Sequence, residues 1–177
     1  MVELLLAAAL AVADTTRTAE PPRVETAQVR VDGRLDEEVW ATAALLSGFT
    51  QSRPAEGAPA SERTEVRVFY TPRDLYIGVR AYAADPSRIR STLAERDQIT
   101  SDDHIRILLD TFADQRRAFV FYVNPLGIQQ DGILAEGGRG ISFAPDFLFD
   151  SRGRLTGDGY EVEMRIPLKS LKFPASD

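Results

Sequence analysis

The 177-residue chain has no cysteine, one histidine and one tryptophan. Without thiols it has no disulfide, thiolate zinc site, iron–sulfur ligand or cysteine nucleophile. A lone imidazole, His104, rules out a metal site built on several histidines. No apolar run approaches the roughly 20 residues that a membrane-spanning helix needs. Cationic residues are also in deficit. The 21 Lys and Arg against 27 Asp and Glu leave a net charge of −6, so there is no basic footprint for nucleic acid and docking on anionic lipid is disfavoured. No Gly-x-Ser-x-Gly elbow accompanies His104. Gly137-Gly138-Arg139-Gly140 lacks the Lys-Ser/Thr that ends a phosphate-binding loop and is expected to be a plain loop.

What is present begins with an address. Leu4 to Val12 is a short run of Leu, Ala and Val that leads into the small-x-small pattern Ala11-Val12-Ala13. This is a signal-peptide core with expected cleavage after Ala13, although Met1-Val2-Glu3 carries no Lys or Arg. Residues 1–13 are thus assigned to export, and residues 14–26, rich in Thr, Glu and Pro, to a leader. Residues 27–177 remain for one domain, enough chain to bury a core without disulfides.

The pattern in that domain has a period of two. Thr64, Val66, Val68 and Tyr70 alternate on one run; Leu75, Ile77, Val79 and Ala81 alternate on the next; Thr71-Pro72-Arg73-Asp74 turns between them. Ile105, Ile107 and Leu109 alternate in another run, and Ala118 to Val123 is apolar on both faces, as a covered central strand requires. Further strands are expected at Val29–Val31, Ile128–Leu134 and Phe147–Asp150. Tyr160, Val162, Met164 and Ile166 then alternate against Glu161, Glu163 and Arg165. Asp36 is placed to cap two helical turns over residues 37–43, and residues 136–145 read as a loop. Eight or nine short strands with one short N-terminal helix, and no helix long enough for a parallel crossover, predict an all-β antiparallel sandwich of jelly-roll type.

Several strings are more specific than their periodicity. Val31-Asp32-Gly33-Arg34-Leu35-Asp36-Glu37-Glu38-Val39-Trp40, Asp74-Leu75-Tyr76-Ile77-Gly78-Val79, and Ser101-Asp102-Asp103 with Ile105 to Asp110 resemble segments of the family 9 carbohydrate-binding modules. Leu109-Asp110-Thr111-Phe112, Phe121 to Gly127, Gln129 to Gly132 and Met164 to Pro174 resemble a subgroup whose module precedes an outer-membrane β-barrel region. The resemblance covers residues 24–174. It implies glycan as ligand, a periplasmic or surface-associated location, a barrel partner absent from this chain, and a further strand beyond the C-terminal residues. Sugar-binding members hold a saccharide between tryptophan rings. This chain departs from that pattern, because its only Trp lies where the family places a packing residue.

Tyr70, Tyr76, Tyr82 and Tyr122 are the alternative ring platforms, since a tyrosine offers a flat apolar face and a hydroxyl. Tyr76, Arg80 and Tyr82 share the strand face opposite Ile77 and Val79 and, with Tyr122, form the candidate ligand set. The other reading of that face is a solvated surface or packing. Asp97, Asp102 and Asp103, near Asp110 and Asp114, are candidate calcium ligands, and the resemblance implies structural calcium. The other reading is turn chemistry, in which Asp accepts nearby backbone N–H groups. No EF-hand spacing is present. A non-catalytic carbohydrate-binding module is the expected function. An interaction module for the barrel and a glycosidase-type hydrolase are the alternatives, the latter weak because Asp102 and Asp103 would point to opposite faces of a strand.

Overall fold

The computed structural model describes residues 18–135 and 140–173. The expected signal peptide, residues 14–17 of the leader, residues 136–139 of the expected glycine-rich loop and the last four residues lie outside the described residues. Among the described residues nine strands form two antiparallel sheets packed face to face. The first sheet contains β1 (Ala44–Ser47), β2 (Thr64–Tyr70), β3 (Asp74–Tyr82), β9 (Gly159–Pro167) and β8 (Asp150–Thr156), in the order β1-β2-β3-β9-β8. The second has β4 (Ile105–Leu109), β5 (Arg117–Val123), β6 (Gln129–Ala135) and β7 (Ile141–Ser142), in that order. The chain folds as the all-β sandwich that its alternation predicts.

The core between the sheets is built from the period-two residues. Val66, Ile77, Val79, Val162, Met164 and Ile166 face Phe121, Val123 and Phe149 across it. β5 is covered on both sides. Phe121 lies in the inter-sheet core, while Val120 and Tyr122 sit under a second apolar cluster with Ile99 on the outer face.

A strap over the outer face of the first sheet was not legible as such. Residues 18–43 lie over it, and Val24, Ala27, Val29, Leu35 and Val39 pack onto a third cluster of Trp40, Phe69 and Tyr76. The expected strand at Val29–Val31 is therefore unpaired strap, without a ladder partner. The expected two-turn helix shrinks to α1 (Val39–Thr42), and neither Asp36 nor Glu38 caps it with a side chain. Glu37, which would lie in its first turn, instead accepts the Arg30 N–H at 3.0 Å and Trp40 Nε1–H at 3.1 Å. Its carboxylate ties the strap together rather than extending the helix.

Two more boundaries shift. The strand expected at Phe147–Asp150 begins only at Asp150 and runs to Thr156, because Phe147 and Phe149 pack into the core from irregular backbone. The expected loop at 136–145 contains the two-residue β7.

Candidate functional site

On the outer face of the first sheet, strand register lines up charges across four strands. Glu65 of β2 stands opposite Arg80 of β3, Arg80 opposite Glu161 of β9, and Glu161 opposite Arg154 of β8. Alternate residues of a strand share a face, so this row and the neighbouring Tyr82 project on one side. The row is stitched by ion pairs: Arg80 to Glu161 at 3.1 Å, Arg154 to Glu161, and Arg80 to Asp158 at the β8–β9 turn. Glu65 pairs with Arg63 and, at 3.2 Å, with Arg67. The Arg63 guanidinium holds the Glu65 carboxyl below the usual carboxylate range, against the opposing effect of burial. Burial alone would lower Arg80, but Asp158 and Glu161 outweigh it and hold the guanidinium more firmly protonated.

Tyr82 flanks this row beside Arg80 on β3. The Arg63 guanidinium carbon lies 4.4 Å from its ring centroid and that of Arg80 lies 5.0 Å away, both within cation–π range. The strap borders the other side of the row through Leu35, Glu37 and Trp40. Between them is an open groove of about 400 Å³. Its walls offer fixed donors and acceptors side by side and the accessible ring of Tyr82, while Trp40 is almost wholly buried, so it can bind a neutral ligand bearing several hydroxyls.

Of the four candidate ligand residues, the structure brings together Arg80 and Tyr82. Tyr76 is not an open platform. It is only 4% exposed, stacked on Phe69 at 4.8 Å between centroids, with Trp40 edge-on to Phe69 at 5.0 Å. The strap that covers it comprises the expected leader, the Val29–Val31 segment and the short helix with Trp40, and nothing in their spacing places them over this face. Tyr122 lies on the outer face of the other sheet, 9% exposed and edge-on to His104 at 5.2 Å, and belongs to a different surface. Tyr70, at the end of β2, is half-buried where its backbone meets Pro22 and Val24 of the strap. Glu65, Glu161, Arg63 and Arg154 were missed as site residues. The sequence shows charged residues at outward strand positions, but which of them share one level of the sheet is set by the register alone.

The candidate calcium ligands do not fit a shared cation. Asp102 points inward: Oδ2 accepts the Thr92 N–H and Asn124 Nδ2–H, both at 2.8 Å, and Oδ1 accepts the Thr92 hydroxyl at 2.9 Å. Burial opposes its charge, but these donors outweigh burial and hold the carboxyl below its ordinary value. Asp103 accepts the Arg90 N–H at 2.9 Å. Both carboxylates tie their loop to the segment at Arg90 and Thr92, 10 to 13 residues earlier, and do not cap their own turn; the expected turn chemistry is seen at Asp110 and Asp114. Among the described residues no group of three or more acidic or histidine side chains is arranged to hold a metal.

Asp97 instead lies 3.9 Å from the guanidinium of Arg96, which also pairs with Asp131, meets Asp146 at 3.6 Å, and donates to Gln129 Oε1 and to the Phe147 carbonyl. The cation in the middle of this oxygen cluster is an arginine.

The fold has known counterparts. A family 9 carbohydrate-binding module from Caldicellulosiruptor kristjanssonii in complex with cellotriose matches at a TM-score of 0.60 and 19% identity, over 88% of this chain and 70% of that one. The same organism's family 9 module in complex with glucose matches at 0.59 and 21%, over 87% and 71%. A candidate carbohydrate-binding protein from Bacteroides uniformis matches at 0.64 and 12%, over 86% and 75%. No family model matches the sequence, and no curated protein matches it significantly. The architecture is therefore the two-sheet antiparallel β-sandwich that these solved structures share.

Proposed function

We propose that this chain is a non-catalytic carbohydrate-binding module, and that its ligand lies along the Glu65–Arg80–Glu161–Arg154 row with a sugar ring against Tyr82. The observation that carries the proposal is the in-register row itself, open to a groove and flanked by the Tyr82 ring beside Arg80. Sugar hydroxyls both donate and accept, so a surface that alternates carboxylate and guanidinium can meet each of them. Because the charges are already paired, they are held in place before a ligand arrives, which lowers the ordering cost of binding. The fold's likeness to modules bound to cellotriose and glucose supports a neutral glucan as the first ligand to try.

We further propose a periplasmic or cell-surface location, where polysaccharide is met; the export pattern at Leu4 to Ala13 supports it. A glycan array of the purified chain, followed by calorimetry on the best hit, tests the function. Tyr82→Ala is expected to weaken binding about tenfold, the scale of one lost ring contact, with unchanged far-UV circular dichroism. Equal affinity of Tyr82→Ala and the parent chain would move the glycan off this face.

A further inference from the structure

A second pocket opens at another place in the sandwich, and nothing in the carbohydrate reading uses it. It lies where the β4–β5 turn, the start of β5, β6 and the segment after β9 converge. Phe119 and Phe147 form its apolar wall, edge to face at 5.0 Å, with Ile133 and Ala118 beside them. Its volume is about 270 Å³, at the small end for ligand pockets and suited to one six-membered ring with a short chain. Phe112 forms part of the mouth and is 36% exposed.

The mouth is cationic. Arg117 lies over the Phe112 ring at 5.4 Å, and Lys172 is held nearby by the Thr111 hydroxyl, which donates to its carbonyl. Among the described residues neither side chain pairs with a carboxylate. Asp114, the acid nearest Arg117 in sequence, accepts the Arg116 N–H at 2.8 Å, and Asp110 accepts the Phe112 N–H at 3.1 Å and the Gln115 N–H at 2.8 Å, so both serve their own turn. In a chain of net charge −6, two cations without a carboxylate partner among the described residues, set beside an aromatic cavity, form a local field of the opposite sign. A ligand complementary to both parts has an apolar ring and one negative charge.

We propose that this pocket binds a small arylalkyl carboxylate, with the ring against Phe119 and Phe147 and the carboxylate between Arg117 and Lys172. The site is separate from the Tyr82 groove, which belongs to the outer face of the other sheet.

The test is calorimetry of the full chain with 3-phenylpropanoate and with its neutral counterpart 3-phenylpropan-1-ol. The acid is expected to bind at least tenfold more tightly than the alcohol, with affinity that falls as salt is raised. Arg117→Gln should abolish that preference while the melting temperature is retained. Ile133→Trp, which enlarges a wall residue on the same strand face as Phe119, should weaken both ligands about tenfold or more, and Tyr82→Ala should leave both unchanged. Equal binding of acid and alcohol, or binding of the acid that survives Ile133→Trp, would overturn the proposal. Failure of Tyr82→Ala to affect glycan binding bears on the proposed function alone.

Discussion

Glu163 Oε2 accepts the Gly33 N–H at 2.7 Å, joining residues 130 positions apart. The same oxygen accepts the N–H groups of Asp32 at 2.8 Å and Arg34 at 3.3 Å, so one carboxyl of β9 clasps the turn of the strap. Oε1 is buried and has no hydrogen-bond partner among the described residues. Burial pushes the group up to about 7, helped by the nearby Glu37 and only partly opposed by the three N–H donors.

The folded state thus holds this proton more tightly than the unfolded chain, whose glutamate titrates near 4.5. The stability it contributes is complete below pH 4.5 and is lost as pH rises through about 7. The loss is on the order of 3 kcal/mol if fully developed. Urea unfolding at pH 5, 7 and 8.5 should show this decline. Glu163→Gln, neutral at every pH and still able to accept the N–H groups, should flatten it. An unchanged slope in that variant would place the titrating group elsewhere.

Trp40 lies directly on Gly78. A Cβ at Gly78 would come within 2.6 Å of Leu35 and 2.9 Å of the Trp40 ring, so only glycine lets the strap seat its indole on β3. Trp40→Ala is expected to cost roughly 3 to 5 kcal/mol, the cost of emptying a buried aromatic site. Gly78→Val should lift the strap as a unit and be marked by a red shift of the single tryptophan's fluorescence. Retained emission and melting temperature in Gly78→Val would mean that the strap is not anchored there.

The sandwich was legible because its inward residues alternate: Ile77 and Val79 on β3, or Val162 and Met164 on β9, announce strands whatever covers the other side. The strap was not. Val24, Val29 and Leu35 are too sparse for any period, and nothing local to Glu163 says that a segment 130 residues earlier buries it. The same long-range contact turned Tyr76 from a candidate platform into core. Arg80 and Tyr82 were found because they lie one turn of alternation beyond the strap's cover. Their partners Glu161 and Arg154 became visible only with the register, which sequence spacing does not specify.

The row predicts a coupling. Arg80 pairs with Asp158 and with Glu161, while Glu161 also pairs with Arg154. Arg80→Gln and Glu161→Gln singly should each cost under about 1 kcal/mol of stability, as partly exposed pairs do. The double variant should cost less than their sum, because each change removes the same contact. Strict additivity in urea unfolding would show that the pair contributes nothing to the fold.

Arg96 should behave as the internal cation of its oxygen cluster. Its guanidinium meets Asp131, whose side chain is 0% exposed, and Asp131 in turn accepts the Phe147 N–H at 2.6 Å. Burial pushes the Asp131 carboxyl up, and the Phe147 N–H and Arg96 only partly restore it. Arg96→Ala leaves that carboxyl buried and unpaired. The expected cost is roughly 2 to 4 kcal/mol, less than for a wholly enclosed pair because Arg96 is 35% exposed. Adding Asp131→Asn removes the stranded charge, so the double variant should recover part of the loss. A chelator should leave the parent chain's melting temperature unchanged, since an arginine already supplies the positive charge. Calcium added to Arg96→Ala should raise its melting temperature if the freed oxygens of Asp97, Asp131 and Asp146 can close on a metal. A chelator-sensitive parent chain would show instead that a bound metal contributes to the fold.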